Sequence, residues 1–116
     1  MTKHIVEAVT TAMQSVKAKN ITILDLSNLE NAICEKFIVC HGTSNTHTSS
    51  IAQVVEKELK VNLTESPFRK EGYNNSEWII LDYSSVVVHV FQQHIREFYN
   101  IEDLWADAEI TVLEEI

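Results

Sequence analysis

The sequence predicts a single α/β domain, residues 1–116, with a mixed sheet of roughly five strands flanked by helices. Three observations predict it. Apolar residues recur at helical spacing near the N-terminus and again after residue 50, short β-branched runs alternate with these stretches, and no repeat, linker or low-complexity segment divides the chain. A chain of this length buries roughly two thirds of its unfolded surface, enough for a core without disulfide or metal staples.

Taken in order, Ile5, Val9, Ala12, Met13 and Val16 fall on one face of a helix predicted over about 4–18, with Thr2 as N-cap and Lys17 and Lys19 suiting its C-terminal end. Residues 21–26 and 37–41 read as strands, the second stopped by Gly42. The polar stretch 43–50 leads into a helix carrying Ile51, Val54, Val55 and Leu59, capped by Ser44 or Asn45. Residues 62–75 hold Pro67, Gly72, Asn74 and Asn75 and read mostly as loop, with room for one short edge strand. Residues 77–83 and 86–91 flank Ser84-Ser85 and form a tight antiparallel hairpin. Ile95, Phe98 and Tyr99 lie on one short helix; Ile101, Leu104, Trp105 and Ala108 lie on another, with Asn100 and Asp103 close to a capping box. The predicted order is α-β-β-α-β-β-β-α-α.

Nine Lys and Arg stand against 17 Asp and Glu, a net charge of −8. Beyond residue 100 there are six acids and no Lys or Arg. This disfavours direct binding to RNA, whose phosphates are held by Lys and Arg displacing counterions, and favours a basic protein as partner. Cys34 and Cys40 would lie roughly 20 Å apart on one extended strand, too far for a disulfide, and read as reduced thiols. There is no signal-peptide pattern and no 18-residue apolar run, so a cytoplasmic protein with no membrane contact is expected.

Candidate chemistry is sparse. Strand, Gly42-Thr43-Ser44, then helix is a geometry that can present backbone N–H groups to an anion, but it lacks the Lys of a P-loop and the spaced glycines of a dinucleotide site. A nucleotidyltransferase would follow such a turn with two acids, two residues apart on a later strand, to hold its metal. Here Asp82 is followed at that offset by Ser84. His4, His41, His47, His89 and His94 show no zinc-helix pairing, and neither cysteine stands in a C-x-x-C. No catalytic residue, metal or cofactor is assigned.

The hairpin carries more. A turn symmetric about Ser84-Ser85 places Asp82 opposite Val87, Ile80 opposite His89 and Trp78 opposite Phe91. One face then carries Ile79, Leu81, Tyr83, Val86, Val88 and Val90, a core face. The other carries Trp78, Ile80, Asp82, Val87, His89 and Phe91, a mixture suited to a binding surface. The alternative is that helices cover both faces and that Asp82 and His89 are satisfied internally.

Three stretches resemble the hallmark runs of the Iojap-like ribosomal silencing factors: EWIILDYSSVVVHVF, REFYNIEDLWADA and FIVCHGTSNTHTSSIA. With the first helix and ITILDLS, the resemblance spans nearly the whole chain. It implies an α/β domain related to nucleotidyltransferases, without established enzymatic activity. It also implies binding to the large ribosomal subunit through its ribosomal protein L-fourteen, at the face where the small subunit joins. Translation is silenced in this way when nutrients are short. Trp78, Asp82, His89, Phe91, Arg96, Glu97, Tyr99 and Trp105 match residue types of the family pattern, as do Ser44, Asn45 and His47. Ser84-Ser85, Glu35-Lys36 and Thr48 depart from it. The partner-binding set expected from hairpin and resemblance together is Trp78, Ile80, Asp82, His89, Phe91, Arg96 and Glu97. Two other readings stay open, a nucleotidyltransferase-like enzyme using the Gly42 turn and Asp82, and a large-subunit assembly factor. An edge strand and a mixed apolar face are also compatible with a homodimer.

Overall fold

The structure, a computed structural model, describes residues 2–114. Its elements are α1 (Thr2–Ser15), β1 (Lys19–Asp25), β2 (Lys36–Gly42), α2 (Asn45–Leu63), β3 (Arg69–Glu71), β4 (Trp78–Asp82), β5 (Val86–Gln92), α3 (Gln93–Tyr99), α4 (Ile101–Leu104) and β6 (Glu109–Val112). The strands form one mixed sheet in the order β3-β4-β5-β2-β1-β6. Only the central pair, β2 with β5, is parallel; Ile38 faces Val88 and Cys40 faces Val90. Both central strands are buried almost throughout, as a parallel pair covered on two faces requires.

The apolar periodicity decides what lies on each face. Val9 and Met13 of α1 and Ile51 and Val55 of α2 pack on Ile38, Cys40, Leu81, Val88 and Val90 to form the larger core. On the opposite face Leu24, Phe37, Val39, Val87 and Phe91 make a smaller core with Ile101 and Ala108. Short pieces cover that face: Leu29 and Ala32 from the segment after β1, and Ile95 and Trp105 from the C-terminal segment. The mixed face of the hairpin is therefore partly a core in its own right.

Several elements differ from the sequence expectation. The sheet has six strands rather than roughly five, because β6 pairs with β1, Ile110 facing Leu24. All four β6 residues are exposed, so no apolar alternation announces the strand. α1 starts at Thr2, which is helical rather than capping, and ends at Ser15. It ends there because Lys17 turns left-handed (φ 59°) and the Ala18 N–H returns to the Met13 carbonyl at 3.0 Å. α4 stops at Leu104, leaving Trp105 and Ala108 beyond it. Asn100 does not form the expected capping box: it is left-handed, and its side-chain amide donates to the Asp103 carboxylate at 2.7 Å. The acidic Glu115 lies outside the described residues. Among those residues no helix is long and apolar enough to cross a membrane.

Gly72 sets the approach to β4. Its φ is +97°, and a Cβ there would lie 1.9 Å from the Trp78 carbonyl oxygen. Gly72→Ala is expected to cost about 2 kcal/mol or more in urea unfolding, from left-handed strain together with a backbone collision. Asn74→Ala, in the same loop but exposed, should stay within about 0.5 kcal/mol.

Candidate partner-binding surface

The hairpin register is the expected one: Trp78 pairs with Phe91, Ile80 with His89 and Asp82 with Val87. Ser84 makes the turn in the left-handed region (φ 75°), and the Tyr83 N–H donates to the Val86 carbonyl at 2.8 Å. Asp82 serves this turn, since its Oδ1 accepts the Ser84 N–H at 2.8 Å while Oδ2 lies 3.9 Å from the Arg69 guanidinium. Its carboxylate is occupied by local backbone and a surface ion pair.

Trp78 is half-buried and sits in an aromatic series that runs from core to solvent. Its ring stacks on Phe91 (4.8 Å between centroids, 25°) and tilts against Tyr99 (5.0 Å, 44°), which meets Phe98 edge-on at 5.1 Å. Exposure rises along the series from 0% at Phe91 to 51% at Tyr99 and 79% at Phe98. Leu104, at 75%, adds to the exposed apolar area of the C-terminal segment. The indole N–H is used inside the domain, donating to His89 Nδ1 at 3.1 Å. Trp78 thus offers apolar surface, its one donor already engaged.

Of the seven residues singled out from sequence, Trp78, Ile80, Asp82 and Glu97 reach solvent. His89, Phe91 and Arg96 do not: His89 and Phe91 are buried against Trp78, and Arg96 is buried against β1 and β2. Helical spacing placed Phe98 and Tyr99 with Ile95 on one stripe, and α3, a single short helix, turns both aromatic residues outward. A stripe of large apolar residues on a helix too short to bury it was the available signal.

Arg96 fixes where that helix lies. Its guanidinium holds both carboxylate oxygens of Glu102 at 3.1 and 2.9 Å and donates to Thr22 Oγ1 at 3.2 Å and His41 Nδ1 at 3.0 Å. A guanidinium only donates, so His41 accepts through Nδ1. This group ties α3 and α4 to β1 and β2.

The Gly42 turn is occupied by packing. A Cβ on Gly42 would lie 2.9 Å from both the N and Oγ1 of Thr48, so glycine is what lets the first turn of α2 approach. Ser44 caps that helix, accepting the His47 N–H at 3.0 Å. His47 Nδ1 accepts the Thr43 N–H at 2.9 Å, which leaves Nε2–H to donate to the Val16 carbonyl at 2.7 Å, an acceptor past the end of α1. Burial pushes the thiol pKa of Cys34 up to about 11 and of Cys40 to about 12, away from nucleophilic thiolate. Among the described residues no group of three or more His, Cys, Asp or Glu is placed to hold a metal ion.

Fold and surface define the class: a small α/β domain with one sheet face under two long helices, and the other under short C-terminal segments that leave an aromatic surface open. Similarity gives the family. The family model described as "Ribosomal silencing factor during starvation" matches residues 1–116, and the chain belongs to this family. It is 30% identical over 112 residues to the ribosomal silencing factor of Bacillus subtilis, covering 97% of this chain and 93% of that one. Among solved structures, a Chromobacterium violaceum protein superposes with a TM-score of 0.84 at 33% identity, over 90% of this chain and 85% of that one. A Bacillus halodurans protein gives a TM-score of 0.79 at 28% identity, over 97% and 98%.

Two outcomes are expected from this geometry. Burial lowers the pKa of His89 from 6.5 to about 4, so the fold holds it neutral. The unfolded chain takes up a proton as pH falls through 6.5 and the native state only near pH 4. The contribution of His89 is therefore whole above pH 6.5 and declines between 6.5 and 4, by up to about 1.4 kcal/mol per pH unit. Urea unfolding across that range should be steeper in pH for the parent than for His89→Phe. Ser44→Ala should cost about 0.5–2 kcal/mol of stability as a lost cap and leave partner binding intact. A fully folded Ser44→Ala protein that cannot bind would restore a ligand role to that turn.

Proposed function

We propose that this protein docks on the large ribosomal subunit through its ribosomal protein L-fourteen and, by occupying the subunit interface, keeps the small subunit from joining, which represses translation in the cytoplasm. The observation that carries this reading is the aromatic series Phe91, Trp78, Tyr99, Phe98, rooted in the core and open at its outer end. Large rigid aromatics on a supported surface are the usual anchors of protein contacts. The net charge of −8 supports a basic protein as the contact rather than bare RNA. Trp78, Tyr99 and Phe98 are the proposed anchors, with Ile80, Asp82 and Glu97 around them. His89 and Phe91 act from below, and Arg96 by fixing where α3 lies. Steric exclusion of this kind asks for no catalytic group.

Protein added to dissociated subunits should lower the joined fraction in sucrose gradients, and undiminished joining with the large subunit saturated would defeat the steric mechanism. Trp78→Ala should weaken co-sedimentation with the large subunit by about thirtyfold, the equivalent of about 2 kcal/mol. Its folding cost should fall below that of the fully buried Leu81→Ala, for which about 2–5 kcal/mol is expected. Phe98→Ala, at an exposed position, should weaken docking while changing stability by no more than about 0.5 kcal/mol.

A further inference from the structure

His89 is an unusual occupant of its site. It is 5% exposed and enclosed by aromatic rings, with Phe37 edge-on at 4.6 Å and Phe91 parallel at 6.2 Å. Because an indole N–H can only donate, His89 Nδ1 accepts from Trp78, and the proton of the neutral imidazole stands on Nε2. Nε2 has no hydrogen-bond partner among the described residues. Packing alone would place an apolar ring here, since a buried donor without an acceptor is worse than an apolar group of the same shape. What histidine supplies and phenylalanine cannot is the acceptor that meets Trp78.

We propose that His89 is a positioning residue for docking: its Nδ1 pins the half-exposed indole of Trp78 against Phe91, so that the anchor is already in its docking orientation before a partner arrives. The inference rests on the reading of Trp78 as a docking anchor. An indole released from this hydrogen bond samples other rotamers, and apparent affinity falls by the fraction of time spent in the competent one. If that fraction is about one tenth, docking weakens about tenfold.

The test uses the full chain with Trp105→Phe, which leaves Trp78 as the one indole. His89→Phe keeps a ring and removes the acceptor, while His89→Asn returns an amide oxygen near the place of Nδ1. His89→Leu serves as the acceptor-free variant if the larger ring prevents folding. Each is read by Trp78 fluorescence anisotropy, urea unfolding and co-sedimentation with large ribosomal subunits. The expected result is that His89→Phe folds at least as stably as the parent, shows a more mobile Trp78 and binds about tenfold more weakly, and that His89→Asn recovers indole order and most of the binding. Full binding by the acceptor-free variant, or equal weakness of the folded Asn and Phe variants, overturns the proposal. Trp78→Ala in parallel separates the two levels. If it binds as the parent does, the anchor reading fails and the inference with it; if it binds weakly while His89→Phe binds fully, only the inference fails.

Discussion

The buried guanidinium of Arg96 holds the second face of the sheet closed. After β5 the chain leaves the sheet, and nothing in the local propensity of a seven-residue α3 or a four-residue α4 would keep either helical alone. Their positions are set where Arg96 meets Glu102, Thr22 and His41, joining the C-terminal segment to two strands far away in sequence. An isolated buried ion pair is weak evidence of net stability, because desolvation offsets the attraction. The role of this one is placement: with its donors spread over Glu102, Thr22, His41 and the Lys19 carbonyl, the segment has one arrangement over Phe37 and Phe91, and the outward set of Tyr99 and Phe98 follows from it.

The two faces of the domain answer to different constraints. Under α1 and α2 the core is continuous and almost wholly aliphatic, and its apolar period appears directly in Val9, Met13, Ile51 and Val55. Under the C-terminal segment the core is aromatic, thinner and interrupted by an imidazole. The thin layer leaves Trp78 partly open to solvent, held between Phe91, Tyr99 and the Nδ1 of His89. A side chain that is both rigid and wet loses little conformational entropy when it is covered.

What the sequence made legible was local or periodic. The symmetric position of Ser84-Ser85 was enough to derive the hairpin register, and from it which of Trp78 and Leu81 faces the larger core. Strand, Gly42, Ser44 and helix could be placed from turn and cap chemistry, although the close approach of Thr48 that demands the glycine could not. The remainder depended on contacts between distant residues. Burial of His89 and Phe91 needs the C-terminal segment folded back over β5, and the Trp78 to His89 hydrogen bond needs side-chain directions that register alone does not supply. β6 escaped because an exposed four-residue edge strand has no apolar pattern, and the acids around it read as solvated surface. Asn100 stands at the N-cap position its residue type suggested, but left-handed and without a side-chain cap hydrogen bond, because it also ends α3 and turns the chain between the two helices.

The parallel pairing of β2 with β5 also governs the order in which a growing chain can fold. Residues 36–42 wait for residues 86–92 before the centre of the sheet can close, so the loop-closure entropy of some fifty intervening residues is met late in synthesis. β1 and β2 can pair earlier as an antiparallel unit, and α1 and α2 can shield one side of it. The other side has only the segment after β1, with Leu29 and Ala32, over it until residues 93–108 leave the ribosome and bring Ile95, Ile101, Trp105 and Ala108 onto it. Leu24, Phe37 and Val39 are therefore the apolar surface that a chaperone would meet on the nascent chain, and they are covered last.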